Sequence, residues 1–284
     1  MTGTMNAPAP VAVAPAPPAR RRPKRFLDRA GGRWTVRVVT FAVLLVAWQL
    51  YAGTVSLALL ASPTQIAEAF YEQAFVEGTL WAPLGESLLV LFTGLALSLL
   101  IGIPVGLAMG RWKPVSDVLG PYVTFLYALP HVAMVPLMVI LLGFDFQFRL
   151  GYVVFSAVWP AIINTMAGVT AVPKELIDCA RAYDASERQI MRGVILPAAA
   201  PLIIAGARQS FSMAWVGVVV SEILSTLVGL GGQIKIFSIQ FQTADMLVAI
   251  ILIMLIATAI QGSAGWLQQR LTPWQAHRHL STSN

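Results

Sequence analysis

Two hundred and eighty-four residues would suffice for one or two globular domains, but 57% of them are apolar and only 11% charged, about half the usual charged share. A soluble surface cannot be built from that composition; the mean hydropathy is +0.73, and the single cysteine excludes a disulfide framework and a cysteine-built zinc site. The net charge of +6 does not indicate nucleic acid either, because eight of the nineteen Lys and Arg crowd between Arg20 and Arg37, directly before an uncharged stretch, as a membrane anchor does.

The chain opens on a run of Ala, Pro and Val from Ala7 to Pro18 that fixes φ repeatedly, removes amide donors and offers nothing to pack. Residues 1–33 are therefore expected to be a disordered cytoplasmic tail, basic in its second half. The apolar run after Arg37 is too long for a cleaved signal and is expected to span the lipid bilayer and stay there. Stretches without Asp, Glu, Lys or Arg cover Val38 to Ala67, Ser87 to Gly110, Val118 to Phe144, Leu150 to Pro173 and Met246 to Gln269; a further one, Leu196 to Ser221, is interrupted only by Arg208. Each exceeds the roughly 20 residues that a helix needs to cross about 30 Å of hydrocarbon. The expected architecture is all-α, with six transmembrane helices over residues 34–270 and a cytoplasmic tail over 271–284.

With the N-terminus inside, the inner set of connections holds the Arg20 to Arg37 block, Arg111, Lys113, Lys174, Arg181, Arg188, Arg192, Arg270 and Arg278, sixteen of the nineteen cations. Arg149 and Lys235 fall outside. That asymmetry places both termini in the cytoplasm. After the first span, Ser62-Pro63-Thr64 followed by Ile66, Ala69, Phe70 and Phe75 reads as a short amphipathic helix at the outer surface, either lid or strut. In the second span Gly102, Gly106 and Gly110 make one smooth face for close helix contact. Pro130, Pro136 and Pro160 lie within spans, where each removes a backbone bond and bends the helix.

The longest charged stretch between spans is Lys174 to Pro197. Leu176, Ile177, Ala180 and Tyr183 share one helical face, and Ser186 stands three residues before Gln189, the spacing of a capping box that starts a second short helix bearing Ile190, Met191 and Val194. Such a bent pair of helices, near 174–194, fits either insertion into a partner's groove or rest on lipid.

Asp178-Cys179-Ala180, then Asp184-Ala185-Ser186, then Ile195-Leu196-Pro197 and Pro201 resemble, in spacing, the EAA loop of the inner-membrane subunits of binding-protein-dependent ABC importers. The likeness covers roughly Glu86 to Trp266 and is strongest toward the nitrate, sulfonate and taurine branch. Tyr127 to Leu137 resembles that branch's proline-rich third span, Asn164 to Gly168 its fourth, and Ser221 to Gly232 its outer loop. The resemblance implies a type I ABC importer permease fold in the bacterial inner membrane. It also implies a second copy of the permease, two cytoplasmic ATP-binding subunits carrying ATP and Mg, and an extracytoplasmic solute-binding protein. Coupling to the ATPase would then fall to Glu175, Asp178, Cys179, Ala180, Tyr183, Asp184, Ala185, Ser186, Ile190, Leu196 and Pro197. The family's Glu-Ala at the head of the motif is Asp178-Cys179 here, and its Gly between the two helices is Asp184, a residue type enriched among non-glycines at positive φ.

No phosphate-cradling Gly-x-x-x-x-Gly-Lys-Ser/Thr loop occurs, so this chain is expected to bind no cofactor and to be no enzyme. The alternative reading is an ion-coupled secondary transporter of small solutes, but the spans offer no mid-membrane Asp or Glu for its relay. Candidate pathway residues are His131, Asn164, Arg208, Ser212, Trp215 and Glu222. His131 is either a polar pathway group or a packed histidine, and Asn164 and Ser212 either line a path or bond to neighbouring helices. Trp215 suits packing, and Glu222 suits an outer gate or a loop anchor, with Lys235 as one possible partner. Arg208, twelve residues into its span, lines the route and favours anions, or is clamped structurally by carbonyls that the prolines release.

Overall fold

The computed structural model describes residues 30–56, 58–224 and 227–271, with side chains over 34–56, 58–224 and 227–262. The Ala/Pro-rich segment and residues 272–284 of the two expected tails lie outside those residues. The chain divides into two compact units, Met1–Trp48 and Gln49–Asn284. The described part of the first belongs to helix α1, Ala30–Ala52, which starts within the segment assigned to the tail and runs on into the second unit. Val38, Phe41 and Leu44 on α1 are exposed, as suits side chains whose solvent is lipid.

Every regular element among the described residues is helical. The second unit is built around α6, Phe146–Thr170, which packs between α3, Trp81–Arg111, and α9, Leu196–Leu224. α6 runs parallel to α3. The expected glycine face is present on α3 and extends further back, through Gly94 and the buried Ser98. Its register against α6 is constant: Gly94 meets Val153, Gly102 meets Ala161, Gly106 meets Thr165 and Gly110 meets Val169. A Cβ at Gly102 would lie 2.6 Å from that of Ala161, and one at Gly106 would lie 2.6 Å from the Ile162 carbonyl oxygen. Small residues every fourth position thus let two backbones touch. α9 lies antiparallel on the other side of α6, and Val90, Leu91, Val153, Ala157, Phe211, Ala214, Trp215 and Val218 of the three helices form the central core.

The span expected from Val118 to Phe144 is not one helix. It consists of α4, Lys113–Ala128, a 3-10 turn His131–Met134, and α5, Val135–Leu142, bent by 95° at the break. Pro130 has no amide to continue α4 and forces Leu129 into extended backbone, with ψ of 139°. Pro136, read as a kink, instead sits in the first turn of α5, where a missing amide costs nothing. Gly143, at φ 79°, closes α5. Pro160 lies inside the uninterrupted α6. Five other helices are long and apolar enough to cross a membrane, so the six expected spans become five and one broken pair among the described residues.

The short helix expected after Ser62 is α2, Pro63–Tyr71, capped by Ser62 with Gln65 reaching back to the Ser62 amide at 2.8 Å. Ile66 and Ala69 are buried, whereas Phe70 and Phe75 are exposed. α2 packs on α11, Thr243–Leu271, which makes it a strut.

Candidate coupling hairpin and pathway residues

Pro173 starts α7, Lys174–Ala182, and Tyr183 closes it. The Asp184 amide donates to the Arg181 carbonyl at 2.9 Å and the Ala185 amide to the Ala180 carbonyl at 3.1 Å. These two bonds define a Schellman ending, whose turn residue must take a left-handed conformation. That residue is Asp184, at φ 54°. The position where the resemblance expects a glycine is therefore held by a residue that meets the backbone requirement of this turn. Ser186 then caps α8, Glu187–Ile190, as expected; its amide and hydroxyl donate to Gln189 Oε1 at 2.7 and 2.8 Å. A π-helical turn, Met191–Ile195, leads into α9 immediately before Pro197, which has no amide to continue the α pattern.

The face expected to carry Leu176, Ile177, Ala180 and Tyr183 together is split. Ile177 and Ala180, with Ala185, Met191 and Val194, pack inward on Val169, Val172, Ile190, Ile195 and Ala199. Leu176, Cys179 and Tyr183 point away from that cluster into the open, Tyr183 being 84% exposed. Glu175 and Asp178 are exposed beside them, Leu196 is half-buried and Pro197 is exposed. Arg181 lies 3.6 Å from Asp178 and 3.2 Å from Glu187, and Glu187 also pairs with Arg111 at the end of α3.

Along α9 the structure gathers several of the polar residues singled out in the sequence. Asn164 of α6 donates to the Pro160 carbonyl at 2.9 Å and to Gln209 Oε1 at 3.1 Å. Ser212 donates to the Arg208 carbonyl at 3.3 Å and accepts from Gln261 of α11. Asn164 and Ser212 thus tie α9 to α6 and to α11, and the half-buried Arg208 immediately precedes the first of those attachments. Trp215 is buried in the central core. His131 belongs to a different setting, the break between α4 and α5, where it meets Phe155 edge-on with ring centroids 5.5 Å apart.

Glu222 is fully buried at the other end of α9. Its suggested partner Lys235 is exposed on α10, Gly229–Ile239, and takes no part. Instead Ser87 Oγ donates to the carboxyl group at 2.8 Å, and the Gly231 amide does so at 2.9 Å. The first amides of α10 are also the positive end of its dipole, so the carboxyl group anchors the helix where helix electrostatics favour it. Beside this knot, Arg149 is buried within α6, 3.3 Å from Glu86 and over the Phe146 ring. The sequence had placed Arg149 in a connection. Ser87, Arg111, Glu187, Gln209 and Gln261 were missed as well; of the knot, the run Gly229-Leu-Gly-Gly232 alone carried a signal, since such runs mark close backbone approach.

A helical bundle crossing a membrane several times, with a hairpin at one end and an anchored short helix at the other, has the architecture of an importer permease. The family described as binding-protein-dependent transport system inner membrane component matches residues 98–273. The taurine transport system permease protein of Escherichia coli strain K12 is 32% identical over 246 residues, covering 84% of this chain and 90% of that protein. A putative aliphatic sulfonates transport permease protein of Bacillus subtilis strain 168 is 30% identical over 258 residues, covering 90% and 92%. The fold is that of an inward-facing MetNI methionine ABC transporter chain, with a TM-score of 0.58 at 21% identity over 66% of this chain and 93% of that one. The chain belongs to the binding-protein-dependent transport family; it is a multi-pass membrane transport subunit of an ABC importer and not an enzyme.

Proposed function

We propose that this chain forms the translocation path of an ATP-driven importer for a small organic anion of the sulfonate kind. Two copies build the path in the bacterial inner membrane, with their termini in the cytoplasm. Each inserts its hairpin into one of two ATPase subunits, which carry ATP and Mg, and a binding protein on the other side delivers the solute. The chain itself holds no cofactor. Closure of the ATPases displaces the hairpins and rocks the spans between inward-open and outward-open states.

The observation that carries the coupling is the split face of α7. A helix resting on lipid turns its apolar side toward the membrane, but here the side toward the bundle is already occupied by Ile177 and Ala180. Leu176, Cys179 and Tyr183 form a second apolar stripe facing away, rimmed by Glu175, Asp178 and Arg181, as helices that enter a partner's groove do. The cation asymmetry of the sequence supports the cytoplasmic placement. For the solute, support comes from the taurine and aliphatic sulfonate permeases among the relatives and from Arg208 within a span.

The test is co-purification of the ATPase subunit with the permease, joined to uptake of taurine and an alkanesulfonate in proteoliposomes. Leu176→Glu and Tyr183→Arg place an unmatched charge in the proposed groove and are expected to release the ATPase. Retention by both variants sinks the docking site, and uptake without ATP sinks the importer reading.

A further inference from the structure

The hairpin is covalently continuous with two of the three helices of the central core: α6 reaches it through Ala171 to Pro173, and α9 leaves it through the π-helical turn. α3 has no such connection. It meets α6 through a stripe of glycines, a smooth contact with few side chains to interlock along the axis. At the hairpin end α3 offers Leu107 to the apolar cluster and Arg111 to Glu187.

We propose that Glu187 is a yoke joining the hairpin to α3 through Arg111, so that displacement of the hairpin reaches α3, α6 and α9 together. The inference rests on the docking reading above. Glu187 uses its two oxygens separately, Oε2 for Arg111 and Oε1 for Arg181 at 3.2 Å, and Arg181 is itself tied to Asp178 on α7. The carboxylate thus spans α3, α7 and α8. Each charge sits at the helix end that suits it, Arg111 in the last turn of α3 and Glu187 in the first turn of α8. A groove of about 370 Å³ lies between Arg111, Trp112, Glu187, Arg188 and Met191, so the pair is not packed over by other side chains. The Glu187 side chain is 62% exposed, and exposed pairs contribute little to stability. What the yoke supplies is transmission, and it acts as a positioning device.

The complete transporter with its ATPase and binding protein, in proteoliposomes, gives three readouts: ATPase retained, thermal midpoint, and solute imported per ATP hydrolysed. Arg111→Gln and Glu187→Gln are expected to keep the ATPase and the midpoint while lowering solute per ATP by at least about fivefold, the lower edge of couplings between sites. The double variant is expected to be no worse than the poorer single one, because both remove one link. Arg111→Lys keeps most of the ratio, and Arg181→Gln, which leaves the α3 link in place, stays near the wild type. A wild-type ratio in Arg111→Gln overturns the yoke, as does loss of the ATPase from that variant, which makes Arg111 a docking residue instead. Failure of the docking reading is seen separately, as retention of the ATPase by Leu176→Glu and Tyr183→Arg.

Discussion

The Ser87 hydroxyl lies 2.8 Å from Glu222 Oε1 and accepts the Leu230 amide at 2.9 Å, so one side chain of α3 connects the end of α9 to the start of α10. With Gly231 donating to Glu222 at 2.9 Å, the group forms a closed set of hydrogen bonds in a site without solvent access. Ser87→Ala leaves the carboxyl group and the Leu230 amide each short of a partner, a loss of about 1–3 kcal/mol for a buried group. Glu222→Ala strands the Ser87 hydroxyl and the Gly231 amide and opens a cavity, and is expected to cost more. Thermal unfolding in detergent and proteolysis at residues 229–242 are the measurements. Equal midpoints and equal cleavage in wild type and Glu222→Ala would show that the knot does not hold α10.

Gly106 faces the Ile162 carbonyl oxygen and Thr165 Cβ, each 2.6 Å from where its own Cβ would be. Gly106→Val forces α3 away from α6 and, as overpacking, is expected to destabilise by about 1–3 kcal/mol or more. Gly120→Val is the control, since nothing lies within 4 Å of a Cβ there. A thermal midpoint for Gly106→Val no lower than for Gly120→Val would mean that the α3 and α6 backbones do not touch.

The features legible in the sequence were those encoded over a few residues. The capping of α8 follows from Ser186 and Gln189, the left-handed turn from Asp184 standing where a glycine is usual, and the α3 stripe from its four-residue period. Pairs between distant segments left no such trace. Arg111 with Glu187, Ser87 with Glu222 and Asn164 with Gln209 are 76, 135 and 45 residues apart. Lys235 is one partner that chain order offers Glu222, on the outer loop after its span, whereas the partners the fold supplies are an uncharged hydroxyl and an amide. The broken third span was ambiguous for another reason: a proline inside an apolar run is compatible with a kink or a break. The backbone at Leu129, extended before Pro130, decides for the break, and the run of residue types does not state that geometry. The apolar residues of α7 were correctly placed on a helix, but two partners compete for them, and the chain's own core takes Ile177 and Ala180.

Asp184 is one of the non-glycine residues at positive φ, and it sits on the Schellman turn between α7 and α8. Asp184→Gly is expected to retain transport, since glycine adopts that conformation without penalty. Asp184→Val, β-branched, is expected to loosen the turn by about 1–2 kcal/mol, the penalty for an L residue held left-handed. Hydrogen exchange across residues 175–195 measures it: faster exchange in Asp184→Val alone is the expected result. Equal protection in both variants would leave the turn without a conformational requirement.

Arg208 lies in α9 twelve residues beyond Leu196, roughly 18 Å along the helix at 1.5 Å per residue. Just beyond it α9 is bonded to its neighbours, by Asn164 to Gln209 and by Gln261 to Ser212, whose hydroxyl also donates to the Arg208 carbonyl, so the guanidinium stem leaves from an anchored stretch of helix. A cation at that depth costs about 2.5–3.5 kcal/mol to insert, which disfavours a lipid-facing position. A guanidinium presents two parallel donors to an oxyanion such as a sulfonate, while an ammonium presents a point charge. Arg208→Lys is therefore expected to keep reduced uptake with weaker discrimination among anions, and Arg208→Gln to lose uptake by about tenfold or more, the effect of about 1.4 kcal/mol at a binding step. Initial rates for taurine and an alkanesulfonate, each with the other as competitor, are to be measured in proteoliposomes with the ATPase and binding protein present. Basal ATP hydrolysis in the same vesicles separates a pathway defect from a folding defect, since a misassembled complex loses both. Should Arg208→Gln import both solutes at the wild-type rate with unchanged competition, Arg208 has no part in anion selection and serves only to hold α9.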